Sequence, residues 1–592
     1  MSFSVPVKDM LFAMEHLANL DQVTQIPGFE DANLETAQAV LEECAKLCEG
    51  VIEPLNIAGD MHPSSLNDGV VTTTAGFKEA FAQFAEGGWQ GLQHPVDFGG
   101  QGLPKTIGAA CLEMLNSANL SFALCPLLTD GAIEALLMAG SDELKAIYLE
   151  KLISGQWTGT MNLTEPQAGS DLSLVRTKAE PLPDGSYKIF GTKIFITYGE
   201  HDMAENIVHL VLARVAGAPE GVKGISLFVV PKFLVNSDGS LGARNDAHCV
   251  SIEHKMGIKA SPTAVLQFGD HGGAIGYLVG EENRGLEYMF IMMNAARLGV
   301  GVQGIALGER AYQRALAYAK DRKQGRDALT GEALVSIDKH PDVRRMLLLM
   351  KSRVEACRAM AYYTASLLDR VHIGGADAEQ QKRDLFLAEF MIPLVKGGGT
   401  EMSIDVTSLG VQVHGGMGFI EETGAAQHLR DARITAIYEG TTAIQANDLI
   451  GRKIAREQGA TIKAVIAEMR ADAARLDGDL AAIGARQQAA IDAVDKAVDW
   501  IVANFKSDPK ATHAGAVPFL FLLGIVAGGW QMGRAAVIAR SRMAGGDSDP
   551  FWAAKLATTR FFADHFLTQA AGLAESVVAG AAGVLEIADD SF

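Results

Sequence analysis

Between about residues 158 and 270 the chain changes its periodicity, and no other feature restricts the possible folds as much. Runs at 187–197, 207–215, 224–230 and 264–268 are short and rich in β-branched and aromatic residues. Pro183-Asp184-Gly185 and Asn236-Ser237-Asp238-Gly239 separate them with turn chemistry, which predicts a β domain. Residues 35–150 instead keep helical spacing, apart from a loop over 94–102. Helical spacing returns at Gly285, with one long helix expected over 286–322. At 592 residues the chain is too long for one core. The expected fold is α+β, mostly α. It has an extension over 1–34, a helical domain over 35–157, a β domain over 158–280, a helical bundle over 281–457 and an Ala-rich helical domain over 458–592. In the extension, Met10, Phe12, Leu17 and Leu20 are expected to pack on the body.

Composition removes several classes of function. The formal net charge of −20 argues against nucleic acid or an anionic membrane as the main partner, while leaving room for a local basic site. Six cysteines are too few for a disulfide framework. Cys44 and Cys48 share a helix face with Ala37, Val40, Leu41 and Leu47. No His or Cys stands near them at zinc spacing, so they read as core and no metal is expected. The first residues lack a charged start followed by an apolar run, which predicts a cytoplasmic protein. Residues 514–533 carry no charge and approach the length of a membrane span. Pro518 and glycines 515, 524, 528, 529 and 533 interrupt the stretch, so a buried bundle helix is expected there instead.

Glu439 lies in Ala436-Ile437-Tyr438-Glu439-Gly440-Thr441-Thr442, a short apolar stretch followed by residues suited to a turn into a helix. A carboxylate there can point into a pocket, where partial desolvation makes it a competent base. By itself it could equally be a loop acid. Three further segments accompany it in order: Met161-Asn162-Leu163-Thr164-Glu165-Pro166-Gln167-Ala168-Gly169-Ser170-Asp171, then Gly191-Thr192-Lys193-Ile194-Phe195-Ile196-Thr197-Tyr198-Gly199, then Gln412-Val413-His414-Gly415-Gly416-Met417-Gly418. The ordered set resembles the acyl-CoA dehydrogenases over roughly 35–455. These flavoenzymes insert a double bond beside a thioester carbonyl. The region beyond 460 resembles the extra helical domain of the larger relatives.

That resemblance implies FAD as cofactor, an acyl-CoA substrate and Glu439 as the base that removes the α proton. Some relatives carry the base on the long helix, but the matching positions are Ala295 and Ala296. It further implies that Met161, Leu163 and Thr164 run beside the flavin and that Phe195 stacks on it where relatives often have Trp. Thr197 would bond to the flavin edge, and Thr441 and Ser170 would also contact the cofactor. Read without the motif, Ile194 to Thr197 would be ordinary strand packing. Arg322 is implied to support the FAD pyrophosphate of a neighbouring subunit, with Gln412, His414, Gly415 and Gly416 forming the second cross-subunit contact. The site would then be complete only in a homodimer or a dimer of dimers. Ala443 stands where some relatives have a polar FAD contact. For the substrate, Ser170 matches a pantetheine contact, Asn294 and Arg297 match a substrate-side segment, and Gly440 suits close backbone approach beside the thioester.

The N-terminal Pro6-Val7-Lys8-Asp9-Met10-Leu11-Phe12 segment, the stretch 195–203 and the C-terminal extension together are similar to the branch acting on 3-methylmercaptopropionyl-CoA. A generic short- or medium-chain dehydrogenase is the alternative. An acyl-CoA oxidase and a non-catalytic FAD- and DNA-binding member are further alternatives. The expected electron acceptor is an electron-transfer flavoprotein or similar carrier. The DNA-binding reading needs a basic surface, whereas Asp472, Asp477, Asp479, Asp492, Asp495 and Asp499 punctuate the C-terminal region.

Overall fold

The computed structural model describes residues 3–372 and 378–592, which divide into two compact units. One comprises Cys44–Leu103 and Ala118–Gly299; the other comprises Met1–Glu43, Pro104–Ser117 and Val300–Phe592.

The first unit is built on an eight-stranded sheet. In chain order its strands are β1 (Trp157–Asn162), β2 (Lys178–Pro181), β3 (Tyr187–Thr197), β4 (Asn206–Val215), β5 (Ser226–Pro231), β6 (Ala247–Ile252), β7 (Thr263–Phe268) and β8 (Ala274–Val279). They lie in the order β6-β7-β3-β8-β5-β4-β1, with β2 paired to both β3 and β4. The four expected runs are strands, with ends moved by no more than two residues. β1 was not expected: Trp157-Thr158-Gly159-Thr160-Met161-Asn162 has no alternation because all six residues are buried, and it pairs in parallel with β4. One face of the sheet packs Leu210, Leu227 and Val229 against Leu136, Leu149, Met289 and Met292.

Buried histidines make this sheet sensitive to acid. The His201 ring accepts from the Met203 N–H at Nδ1 and donates through Nε2 to Thr158 Oγ1 at 2.8 Å, so its neutral form is built in. Burial, with the Lys232 cation nearby, depresses His201 to about 3. Burial, Arg244 and Lys232 depress His209 to about 3 as well. Unfolded histidine titrates near 6.5, so below that pH the unfolded chain binds more protons than the folded one. The stability these residues contribute is complete above about pH 6.5 and is lost as pH falls toward 3. Urea unfolding is expected to show a lower midpoint at pH 5 than at pH 7, with each histidine contributing up to about 1.4 kcal/mol per pH unit. A His201→Gln/His209→Gln double variant should flatten that dependence.

The second unit is helical. It contains the greater part of α1 (Gly285–Asp321), together with α2 (Pro341–His372), α3 (Gly399–His414) and α4 (Thr442–Asp448). A close helix approach fixes α1 in this unit: a Cβ on Gly304 would lie 2.6 Å from the Gly399 carbonyl oxygen. The extension packs here as expected, with Met10, Phe12, Leu17 and Leu20 all buried and Phe12 edge-on to Trp552. Residues 514–533 lie almost wholly in a buried helix, as expected. Ala516–Ala544 is a single unbroken helix, because Pro518 falls in its first turn where no backbone bond is lost. Gly529 serves close packing, since a Cβ there would lie 2.6 Å from Leu567.

Among the described residues, three helices are long and apolar enough to cross a membrane: Leu120–Ala139, Gly285–Asp321 and Ala516–Ala544. In each, 72% of the apolar window is buried inside the protein. All six cysteines are buried and none is in a disulfide, and Cys44 and Cys48 lie in the core as expected.

Candidate active site

Glu439 sits in the left-handed backbone region at φ 54°, followed by Gly440 at φ 91°. For a glutamate this conformation is strained and persists only where surrounding contacts enforce it. Those contacts come from three directions within the helical unit. The Tyr438 hydroxyl donates to Gln303 Oε1 of α1 at 2.5 Å. Lys396 Nζ, wholly buried in the π-helical turn Leu394–Gly398, donates to the Gly440 carbonyl at 2.5 Å. The Thr442 hydroxyl donates to Glu401 Oε1 of α3 at 2.5 Å. Thr441 caps α4 by accepting the Ile444 N–H at 3.4 Å. Burial, together with the adjacent Glu439 carboxylate, pushes the Tyr438 hydroxyl well above the usual tyrosine range. Tyr438 therefore stays a neutral donor beside the acid. Ala443 is exposed on the first turn of α4.

The sheet unit gathers a second set of residues. Met161 lies at the end of β1 and is buried, whereas Leu163 and Thr164 just beyond it are half-buried. The Thr164 carbonyl accepts the Ile194 N–H at 2.9 Å, which holds this segment against β3. There the pairing with β7 slips between Leu266–Lys193 and Ala264–Ile196, so Ile194 and Phe195 form a bulge. Phe195 takes φ 60° and is 60% exposed. An aromatic face presented this way suits a flat conjugated ring. Thr197, two residues on, is half-buried and paired with Thr263.

A buried ion pair holds the two strand ends together. Lys193 Nζ donates to Glu165 Oε1 at 2.8 Å and to the Leu163 carbonyl at 3.0 Å. Burial by itself would raise the Glu165 carboxyl, but Lys193 and the Thr177 and Arg176 donors outweigh it and hold it at about 2. Both residues stand inside the sequence motifs, where Lys and Glu read as solvated strand and loop residues; only their pairing reveals a scaffold. Lys396 and Glu401 were missed in the same way.

The other expected residues stand as follows. Ser170 is exposed on the bend after Thr164. On α1, Asn294 is exposed and Arg297 buried. In the helical unit, Arg322 follows directly after α1, exposed and with no carboxylate partner among the described residues. The His414 ring stacks on Tyr318 with centroids 4.4 Å apart, which sets the end of α3 beside the last turn of α1. Gln412, Gly415 and Gly416 are exposed there, next to the exposed apolar side chains of Met417, Phe419 and Ile420.

The chain matches four family models in sequence: the acyl-CoA dehydrogenase N-terminal domain over 35–156, middle domain over 160–271 and C-terminal domain over 283–455, then the acetyl-CoA dehydrogenase C-terminal-like domain over 460–588. It is 52% identical to a 3-methylmercaptopropionyl-CoA dehydrogenase of Ruegeria pomeroyi, covering 96% of this chain and 97% of that protein. It is 35% identical to the broad-specificity linear acyl-CoA dehydrogenase FadE5 of Mycobacterium tuberculosis, covering 95% of each. Among solved structures, an acyl-CoA dehydrogenase complexed with FAD from Bacillus anthracis superposes with a TM-score of 0.74 at 20% identity, over 96% of this chain and 91% of that one.

Proposed function

Because the chain belongs to the acyl-CoA dehydrogenase family, we propose that it uses FAD to convert 3-methylmercaptopropionyl-CoA into methylthioacryloyl-CoA. The observation that carries the chemistry is Glu439, held at a left-handed backbone position by Gln303, Lys396 and Glu401 through their partners on its loop. The substrate reading rests on the likeness to the Ruegeria protein over nearly the full chain.

Dehydrogenation removes a proton from the α carbon and a hydride from the β carbon, leaving a carbon–carbon double bond. No side chain accepts hydride, and FAD when bound supplies that capacity. Glu439 takes the α proton, and fixing its loop places the carboxylate before substrate arrives. The backbone N–H of Glu439 polarises the thioester carbonyl as its charge develops, and Gly440 allows the close approach. As the family resemblance implies, Phe195 of the sheet unit would stack on the cofactor ring with Met161, Leu163, Thr164, Thr197 and Ser170 beside it, and Thr441 is the contact implied for the helical unit. Ser170, Asn294, Arg297 and Gly440 serve the CoA ester. The electron acceptor is a protein carrier such as an electron-transfer flavoprotein, and the setting is cytoplasmic.

Arg322, Gln412 and Gly416 complete the cofactor site of a second copy, in a homodimer or a dimer of dimers. An exposed guanidinium with no carboxylate partner suits a pyrophosphate, and the apolar Met417, Phe419 and Ile420 beside it suit contact with another chain. Arg322→Ala is expected to lose FAD on dialysis while the wild type keeps it; equal flavin content after dialysis would contradict the assignment.

The substrate is tested by comparing kcat/KM for 3-methylmercaptopropionyl-, butyryl- and octanoyl-CoA with an artificial electron acceptor. A preference for the thioether ester of about tenfold or more over butyryl-CoA is expected, the scale at which pockets discriminate small apolar groups. Preference for the straight chains would leave a generic short- or medium-chain dehydrogenase.

A further inference from the structure

On the sheet unit, we propose that Asp246, His248 and His271 form a divalent-cation site whose ligand set fits Zn²⁺. The three side chains come together although the sequence separates His271 from the others by more than twenty residues. Asp246 immediately precedes β6, His248 is its second residue, and His271 lies in the turn joining β7 to β8. The antiparallel pairing of β6 and β7, with Ala247 opposite Phe268, folds that turn back over Asp246.

The ligand atoms converge on one carboxylate oxygen. Asp246 Oδ1 lies 3.1 Å from His271 Nδ1 and 3.3 Å from His248 Nε2, and all three ligand atoms lie within 4.8 Å of one another. Zinc bonds to nitrogen and oxygen are about 2.0–2.1 Å long, so the edges of a tetrahedral site are about 3.3 Å. The two distances to Asp246 Oδ1, 3.1 and 3.3 Å, are close to such edges.

Backbone groups orient the carboxylate. Asp246 Oδ2 accepts the His271 N–H at 2.7 Å and the Gly273 N–H at 3.1 Å, which turns Oδ1 toward the two rings. The Asp246 carbonyl also accepts the Gly269 N–H at 2.8 Å. This is the kind of outer support that fixes a metal ligand. Side-chain exposure rises from 11% for Asp246 to 40% for His248 and 75% for His271, so the site opens to solvent and water can fill the remaining coordination. In the absence of metal the same geometry is one His271–Asp246 hydrogen bond beside a His248–Asp246 ion-pair contact, and binding separates the two readings.

The test uses tag-free, full-length, FAD-loaded protein stripped with a chelator and titrated with ZnCl₂ by calorimetry. One ion per chain is expected. His248→Ala and His271→Ala should each weaken binding by about tenfold or more, and Asp246→Asn, which keeps an acceptor for the turn, should do the same. Zinc-edge X-ray absorption should show nitrogen and oxygen scatterers at about 2.0–2.1 Å with an imidazole signature. Binding that none of the three substitutions weakens, an absence of binding in the wild type, or sulfur scatterers at about 2.3 Å would each overturn the site.

Discussion

Glu439→Gln is expected to keep FAD and to lose turnover by about 10²–10⁴-fold, the contribution typical of a positioned general base. The substitution preserves shape and removes only the ability to accept the α proton. The groups that hold the loop act elsewhere: Lys396 on the Gly440 carbonyl, Gln303 on the Tyr438 hydroxyl, and Glu401 on the Thr442 hydroxyl. The loop should therefore keep its conformation, and the loss should fall on kcat rather than on substrate affinity. Flavin absorbance after gel filtration checks retention, and steady-state assays check the rate. Undiminished turnover would remove Glu439 from the mechanism. Loss of FAD together with turnover would show instead that the residue supports the cofactor site.

The largest stability effect is expected at Arg358, which is 1% exposed and surrounded by three carboxylates. Its guanidinium donates to Glu113 at 2.5 Å, to Glu309 at 2.9 Å and to Asp9 at 2.6 Å. The Tyr362 hydroxyl also donates to Glu113, and Lys555 pairs with Asp9 and Glu355. This cluster joins the N-terminal extension, the bundle and the C-terminal helices within the helical unit. Arg358→Met would leave Glu113, itself wholly buried, without its counter-charge, and removing one partner of a buried pair costs about 3–5 kcal/mol. Burial already raises the Glu113 carboxyl above its ordinary value, and Arg358 opposes that rise. Losing the arginine should thus favour the protonated acid and make the variant relatively less impaired at lower pH. Adding Glu113→Gln should recover part of the loss. Denaturant midpoints for the two single variants and the double variant check this, and an Arg358→Met protein within about 1 kcal/mol of wild type would contradict it.

Much of this molecule is legible in its sequence where local chemistry and fold agree. The β-branched run at 187–197 forms a strand over those residues, and the expected long helix ends within one residue of the structure at each end. The failures have physical causes. β1 carries glycine, threonine and asparagine in a fully buried strand, so neither alternation nor an apolar run marks it. At the site, Glu439 and Phe195 can be picked out as residue types in a motif, but their left-handed backbone cannot. Neither can the ties made by Lys193, Glu165, Lys396 and Glu401, because each depends on a partner distant in the chain. The same reason hides Asp246, His248 and His271, which strand pairing brings together.

The most direct measurement is an anaerobic titration of the purified protein with 3-methylmercaptopropionyl-CoA, followed by flavin absorbance and run beside the Glu439→Gln variant. The account predicts bound flavin in both proteins, prompt bleaching of the wild type and little or none in the variant. A protein without flavin, or one that no acyl-CoA bleaches, would contradict it.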